Sequence, residues 1–273
     1  MKIEYGEYGV PNEVEKLIEL ENKLRKKGLT LDSIGMVPIQ DSFSYSITPP
    51  DVIPFAHTGG DGVHFGFLTD FGSITDLNEA PIVCVTPTND PPIRLTARNI
   101  NEFLLIASSV PHVGLLDDCW PWENSESTKL ILSDYLSDSW QLKRDKLLDL
   151  LQEVFSTKKV DVSEYVQTVL REREESIVLK TYDGLGILGT AADLHRRYSF
   201  DPERRQDKEQ IERMKVFLKD ATYEEKLGFI RDAMFWYVLS YDYDSEILNL
   251  VIDLMESLNL KDEARRLTYR SRD

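Results

Sequence analysis

Apolar residues recur along the first part of the chain with a helical period and then switch to a strand-like one. Val14, Leu17, Ile18, Leu20, Glu21 and Leu24 trace one face of a 3.6-residue repeat. Pro11 precedes this run, Asn12 is a candidate N-cap, Lys26 and Lys27 suit the C-terminal dipole, and Gly28 ends it, so a helix is predicted over about 12–27. Short segments of strand character follow: IGMVPI, SFSYSI, GVHFGFLT, PIVCVTP and PIRLTA. In GVHFGFLT the period is two, which places Val63, Phe65 and Phe67 on one face and His64 and Gly66 on the other. TPPD, HTGGDG, TDFG and TNDPP carry the turn chemistry between them. RNINEFLLIASSV returns to a helical pattern, with Asn99 or Asn101 available as its cap.

Beyond Asp117 the rhythm is helical and charged. Helices are predicted at about 124–156, 162–175, 207–219, 222–240, 243–257 and 260–270. Between them, SIVLKTYDGLGILGT fits a short hairpin turning at Asp183-Gly184. RRYSFDPERRQDKEQIERMK fits a solvated linker entering a helix. Most of the prolines and glycines lie before residue 117. The expected fold class is α+β: a mostly antiparallel sheet with flanking helices in residues 1–116, then a mainly helical domain or extension in 117–273.

Composition narrows the function. The 273 residues carry 32 basic and 48 acidic side chains, a net charge of −16. Such a surface repels phosphate backbones and favours a basic partner, so no nucleic acid is expected among the partners. Neither Cys84 nor Cys119 has the spacing of a zinc site, and the pattern suits a reducing compartment. The N-terminus lacks an apolar signal region, and no run approaches the ~18 apolar residues of a membrane helix. A cytoplasmic protein with no membrane partner is expected.

Candidate chemistry centres on IPFAHTGGDGVHFGF, residues 53–67. His57, Asp61 and His64 are ligand types that a catalytic zinc or iron accepts, which makes a metal-dependent hydrolase one alternative. Gly59, Gly60 and Gly62 rule out a helix there, so the favoured reading is a turn between two strands. TGGDG matches neither GxxxxGK[ST] nor a GxGxxG that opens a helix. His112 reads as a loop residue and His195 as exposed at a helix end. Asp117-Asp118, beside Trp120 and Trp122, reads as a packed tryptophan hinge. Asp242, Asp244 and Glu246 lack the spacing of a calcium loop, and Asp244 or Ser245 suits an N-cap.

The stretch from Pro50 to about Leu105 resembles the SUKH superfamily, the fold of fungal Smi/Knr cell-wall regulators and of many bacterial immunity proteins. The resemblance rests on Ile53-Pro54-Phe55-Ala56, the turn Gly60-Asp61-Gly62, the aromatic pair Phe65 and Phe67, and Ile100-Asn101-Glu102-Phe103-Leu104, in that order. It implies a non-enzymatic protein-binding module that needs no cofactor. Its partner would be another protein, such as a basic, nuclease-type toxin that an immunity protein neutralises. His57, Asp61, His64, Phe65 and Asp70 are the candidate binding residues, at a turn or surface near a partner groove, with core packing the competing role for Phe65. A third possibility is a regulatory scaffold acting through the helical half, with the aromatics from Phe229 to Tyr237 exposed.

Overall fold

The computed structural model describes residues 2–40, 43, 45–117, 141–190, 194–201, 208–239 and 244–271. The fold is α+β, with an antiparallel five-stranded sheet and a helical C-terminal region. Packing divides the chain into two compact units. Unit 1 comprises 1–43, 52–69 and 74–172; unit 2 comprises 44–51, 70–73 and 173–273. Residue 117, where composition suggests a boundary, lies within unit 1.

In unit 1 the strands β1 (Val37–Pro38), β2 (Val52–His57), β3 (His64–Leu68), β4 (Ile82–Val85) and β5 (Ile93–Ala97) lie side by side in chain order. Each pairs antiparallel with the next. The β2–β3 and β4–β5 connections are short, as in a meander, whereas the connections 39–51 and 69–81 are longer and carry the segments 44–51 and 70–73 of unit 2. The register sets Ile53 opposite Phe67, His57 opposite His64 and Phe65 opposite Cys84. A bulge between Pro54 and Ala56 brings Phe55 into the core. Beyond β1, the Ile39 N–H donates to Phe55 O at 2.9 Å.

The period-two pattern holds: Phe65 and Phe67 share the core face, and His64 and Gly66 fall opposite them. Ring centroids lie 4.8 Å apart for Phe55–Phe67 and 4.9 Å for Phe65–Phe103, with Phe103 supplied by helix α3 (Ile100–Ala107). Asn99 caps that helix by accepting from the Glu102 N–H. Helix α1 (Lys2–Tyr5) opens the chain, and α2 (Asn12–Arg25) follows where the apolar stripe predicts it. Its N-cap is Pro11 rather than Asn12, and no side chain bonds there. Helices α4 (Gln141–Phe155) and α5 (Val162–Ser176) add Leu147, Leu151 and Val166 to the same core. Residues 118–140, with Cys119, the tryptophan hinge and the start of the helix predicted from 124, lie outside the described residues. So does part of SFSYSI; its described residues 45–47 form no strand.

Unit 2 holds the hairpin β6 (Ile177–Leu179) and β7 (Ile187–Leu188) and the helices α6 (Lys208–Asp220), α7 (Tyr223–Ala233), α8 (Ser245–Ser257) and α9 (Lys261–Arg270). A π-helical turn, Met234–Val238, extends α7. Thr222 and Glu225 form a reciprocal capping box at the start of α7, and Asp244 caps α8 as expected. The hairpin approaches α7 so closely that a Cβ on Gly228 would stand 2.4 Å from Leu179 Cδ2. Phe229 and Tyr237 are core residues, so an exposed aromatic run over Phe229–Tyr237 does not occur. The segment expected as a solvated linker is partly structural: Arg196 pairs with Glu225, Arg197 pairs with Asp232, and Phe200 is buried.

Among the described residues no helix is long and apolar enough to cross a membrane.

Candidate functional site

The β2–β3 turn is built by backbone bonds from Thr58 N to Val63 O at 3.0 Å and from Val63 N to Gly60 O at 3.1 Å. Its left-handed positions are Gly59, Asp61 and Gly62. Glycine suits two of them, and an aspartate tolerates the third because its short side chain can bond locally. Asp61 is exposed at this turn.

His57 and His64 are cross-strand partners, and the Phe43 ring lies against both, at 5.7 and 5.0 Å between centroids. Their surroundings differ. His57 is half-buried, and its Nδ1 accepts the Gly59 N–H at 3.1 Å. Burial lowers its pKa below the usual 6.5, and the Asp32 carboxylate partly opposes that. The imidazole is therefore neutral at pH 7, with Nε2 as its remaining N–H donor. His64 is fully buried, and its Nδ1 lies 2.7 Å from Gly62 O, which requires the opposite tautomer. Among the described residues no group of three or more His, Cys, Asp or Glu side chains is placed to hold a metal ion. His57, Asp61 and His64 accordingly do not form a three-ligand set.

The other two candidates do not face a groove. Phe65 is fully buried in the unit 1 core. The alternation that marks it as a strand residue also turns it inward, so the core role holds rather than a surface one. Asp70 belongs to unit 2 and is buried against Arg173 at 2.7 Å and Arg231 at 3.2 Å. TDFG looks like simple turn chemistry because those arginines are distant in sequence.

An open groove of about 530 Å³ flanks His57, lined by Arg25, Gly28, Leu29, Thr30, Asp32, Val37, His57 and Gly59. The side formed by residues from Gly28 to Asp32 is held by Glu21, which lies on the buried face of α2 with no exposed surface. Glu21 accepts hydrogen bonds from Arg25 Nε at 2.6 Å, Thr30 Oγ1 at 2.8 Å and the Leu31 N–H at 2.8 Å. Thr30 in turn caps the 3₁₀ turn Leu31–Ile34 by accepting from the Asp32 N–H. Asp32 is exposed beside the β2–β3 turn, and a Cβ on Gly59 would come within 2.7 Å of its Oδ1. Only a glycine with its positive φ lets the carboxylate approach there.

His112 lies close by, with its ring packed over Gly35 and its Nδ1 accepting from the Gly114 N–H at 3.2 Å. Burial lowers its pKa, and Arg144 adds to that while Asp32 opposes it. Asp32 is thus the carboxylate that both imidazoles feel. Sequence reasoning finds His57 but misses Asp32, Glu21, Thr30 and the cap at His112. The His112-x-Gly114 pair and the Thr30-x-Asp32 pair were the available signals.

No protein-family model matches this chain, and no curated protein does.

Proposed function

We propose that this protein is a non-enzymatic protein-binding module and that unit 1 receives a basic partner at the groove headed by Asp32 and His57, with Asp61 on the adjoining turn. The observation that carries the reading is an exposed carboxylate, Asp32, held by a buried scaffold beside a neutral imidazole in an open groove. A carboxylate in that setting accepts a lysine or arginine side chain, and His57 Nε2–H can bond a backbone carbonyl next to it. The net charge of −16 speeds encounter with such a partner. The resemblance of residues 50–105 to the SUKH superfamily supports the same class. On that resemblance the partner is a basic toxin of nuclease type, neutralised in the cytoplasm.

The test is binding of a purified basic toxin domain, with its catalytic residues disabled, from the cell that makes this protein. Titration calorimetry compares the unsubstituted chain with D32K and D61K. Binding that weakens tenfold or more in D32K, in a chain that melts normally, supports the reading. Equal binding by all three chains moves the interface elsewhere.

A second reading, a scaffold acting through unit 2, draws on one cluster. Tyr182 is exposed and packs against Phe235 and Trp236 at 5.9 and 5.1 Å, with Arg197 over its ring at 3.8 Å. Y182A, followed by light scattering over a concentration series, distinguishes the two readings.

A further inference from the structure

The groove at Asp32 holds a second charge, of opposite sign, that a purely basic ligand would leave unused. Arg25, the last residue of α2, lines the groove together with Asp32 and His57. Its side chain is exposed, but Nε is tied to the buried Glu21, donating to Oε1 at 2.6 Å. That is the only hydrogen bond or ion pair of this guanidinium among the described residues. Its two Nη groups are therefore left for a ligand. They are the end of the guanidinium fork, whose parallel N–H groups match the two oxygens of a carboxylate.

Asp32 is the counterpart. Its backbone is engaged, since its N–H donates to Thr30 Oγ1 at 3.2 Å and its carbonyl accepts the Gly35 N–H at 2.9 Å. Its carboxylate makes no hydrogen bond or ion pair among the described residues. Arg25 and Asp32 thus do not neutralise each other, although both line one groove.

One frame holds the two. Glu21 Oε1 accepts from Arg25 Nε and also from Thr30 Oγ1, at 2.8 Å, and Thr30 Oγ1 accepts the Asp32 N–H. The backbone nitrogen of Asp32 therefore stands no further from Arg25 Nε than these three bonds laid end to end. Glu21 Oε2 accepts the Leu31 N–H at 2.8 Å and fixes the loop between them. A basic residue with a carboxylate beside it can reach over such a span.

We propose that the groove takes a dipolar segment of the partner: a lysine or arginine side chain at Asp32 and, beside it, a carboxylate at Arg25, supplied by the partner's C-terminus or by a neighbouring Asp or Glu. This rests on the reading that a basic partner docks at Asp32. The net charge of −16 attracts any basic protein. A lone cation that reaches Asp32 also meets the repulsion of Arg25. A carboxylate next to that cation turns the repulsion into a second contact. Arg25 is then a specificity residue, which disfavours segments of uniform positive charge.

The experiment titrates the ¹⁵N-labelled full chain with four peptides. Acetyl-Gly-Arg-Gly-amide carries only the cation, and acetyl-Gly-Glu-Gly-amide only the carboxylate. Acetyl-Gly-Arg-Glu-Gly-amide carries both on side chains, and acetyl-Gly-Arg with a free C-terminus carries both on one residue. The amide shifts of Leu29, Thr30, Asp32 and Gly59 and the Arg25 Nε–H signal report occupancy. Both protein groups are solvent-screened, so at least one dipolar peptide should bind about fivefold tighter than either single-charge peptide. Which of the two does so identifies the source of the carboxylate. R25Q should bring that peptide down to the level of the cation-only one, and D32N to the level of the carboxylate-only one. A single-charge peptide that binds as tightly as the dipolar ones, or a dipolar advantage that survives in R25Q, overturns the inference. Where the matching peptide is the cation-only one, docking of a basic partner at Asp32 still stands; no shift from any cationic peptide removes both. The comparison of the four peptides on the unsubstituted chain decides the matter even for an R25Q chain that does not fold.

Discussion

Glu21 Oε2 accepts the backbone N–H of Leu31 at 2.8 Å, ten residues ahead and off the end of its own helix. A carboxylate with no exposed surface thereby sets the path of residues 28–32, which form one wall of the groove. Replacing Glu21 by alanine leaves the Leu31 amide and the Thr30 hydroxyl without that acceptor. E21A should destabilise unit 1 by about 2–4 kcal/mol, read by urea denaturation. E21Q keeps the volume and an acceptor oxygen and should cost less.

Asp32 is exposed and adds little to the core. D32A should shift stability by no more than about 0.5 kcal/mol. It should nevertheless change His57, whose pKa lies below the usual 6.5 and is held up only by that carboxylate. ¹H–¹⁵N spectra of the imidazoles should show the His57 midpoint falling further in D32A. The stability linked to this histidine is complete above about 6.5 and is lost as the pH falls below it, because the unfolded chain then takes up the proton first. An unchanged midpoint would break the link between the two residues.

Phe65 is a packing residue, in contact with Phe103 at 4.9 Å. F65A should cost about 3–5 kcal/mol by opening a cavity under the sheet. Its binding loss, if measured, should follow the fraction of folded chain. Normal stability with abolished binding would return Phe65 to a surface role.

Glu225 holds its proton less tightly than an ordinary glutamate. Although burial works against its charge, the hydrogen bonds from Arg196 and the capping bond from Thr222 hold its pKa at about 2. Its contribution is present above the ordinary glutamate value and is lost as the pH falls toward 2. Acid melting curves should therefore steepen below pH 4 in the unsubstituted chain, and this steepening should be reduced in E225Q. T222A, which removes one half of the capping box, should cost about 1 kcal/mol.

Residues 173–273 alone lack Asp51, Asp70, Phe71 and the carbonyls of 48–50. As a fragment they would leave Arg231, Arg266 and Arg270 buried without those acceptors. Circular dichroism of the fragment should show no cooperative melt. A sharp transition would mean that the helical core is sufficient without segments 44–51 and 70–73.

The elements were legible where the physics is local. The stripe of α2, the alternation around Phe65, the caps at Asn99 and Asp244 and the turn at Asp183-Gly184 each depend on neighbours within a few residues. What the sequence conceals is non-local. Asp70 resembles any turn aspartate, because its arginines stand 103 and 161 positions away. Glu21 falls within an apolar stripe, and only the folded loop shows the donors that satisfy it there. The groove draws on α2, the 3₁₀ turn and the end of β2, and no single window of sequence contains all three. Spacing singles out His57 together with Asp61 and His64, yet its electrostatic companion is Asp32.

The sheet terminates at β1, whose two residues pair with His57 and Ala56. Because the Ile39 N–H turns inward to Phe55, alternation points Val37 inward as well and leaves Pro38 as the position turned away from the sheet. Proline has no amide hydrogen to offer there. A further strand arriving at this margin would find no donor at that position, so this edge is a poorer template for strand addition than one with its full row of amides.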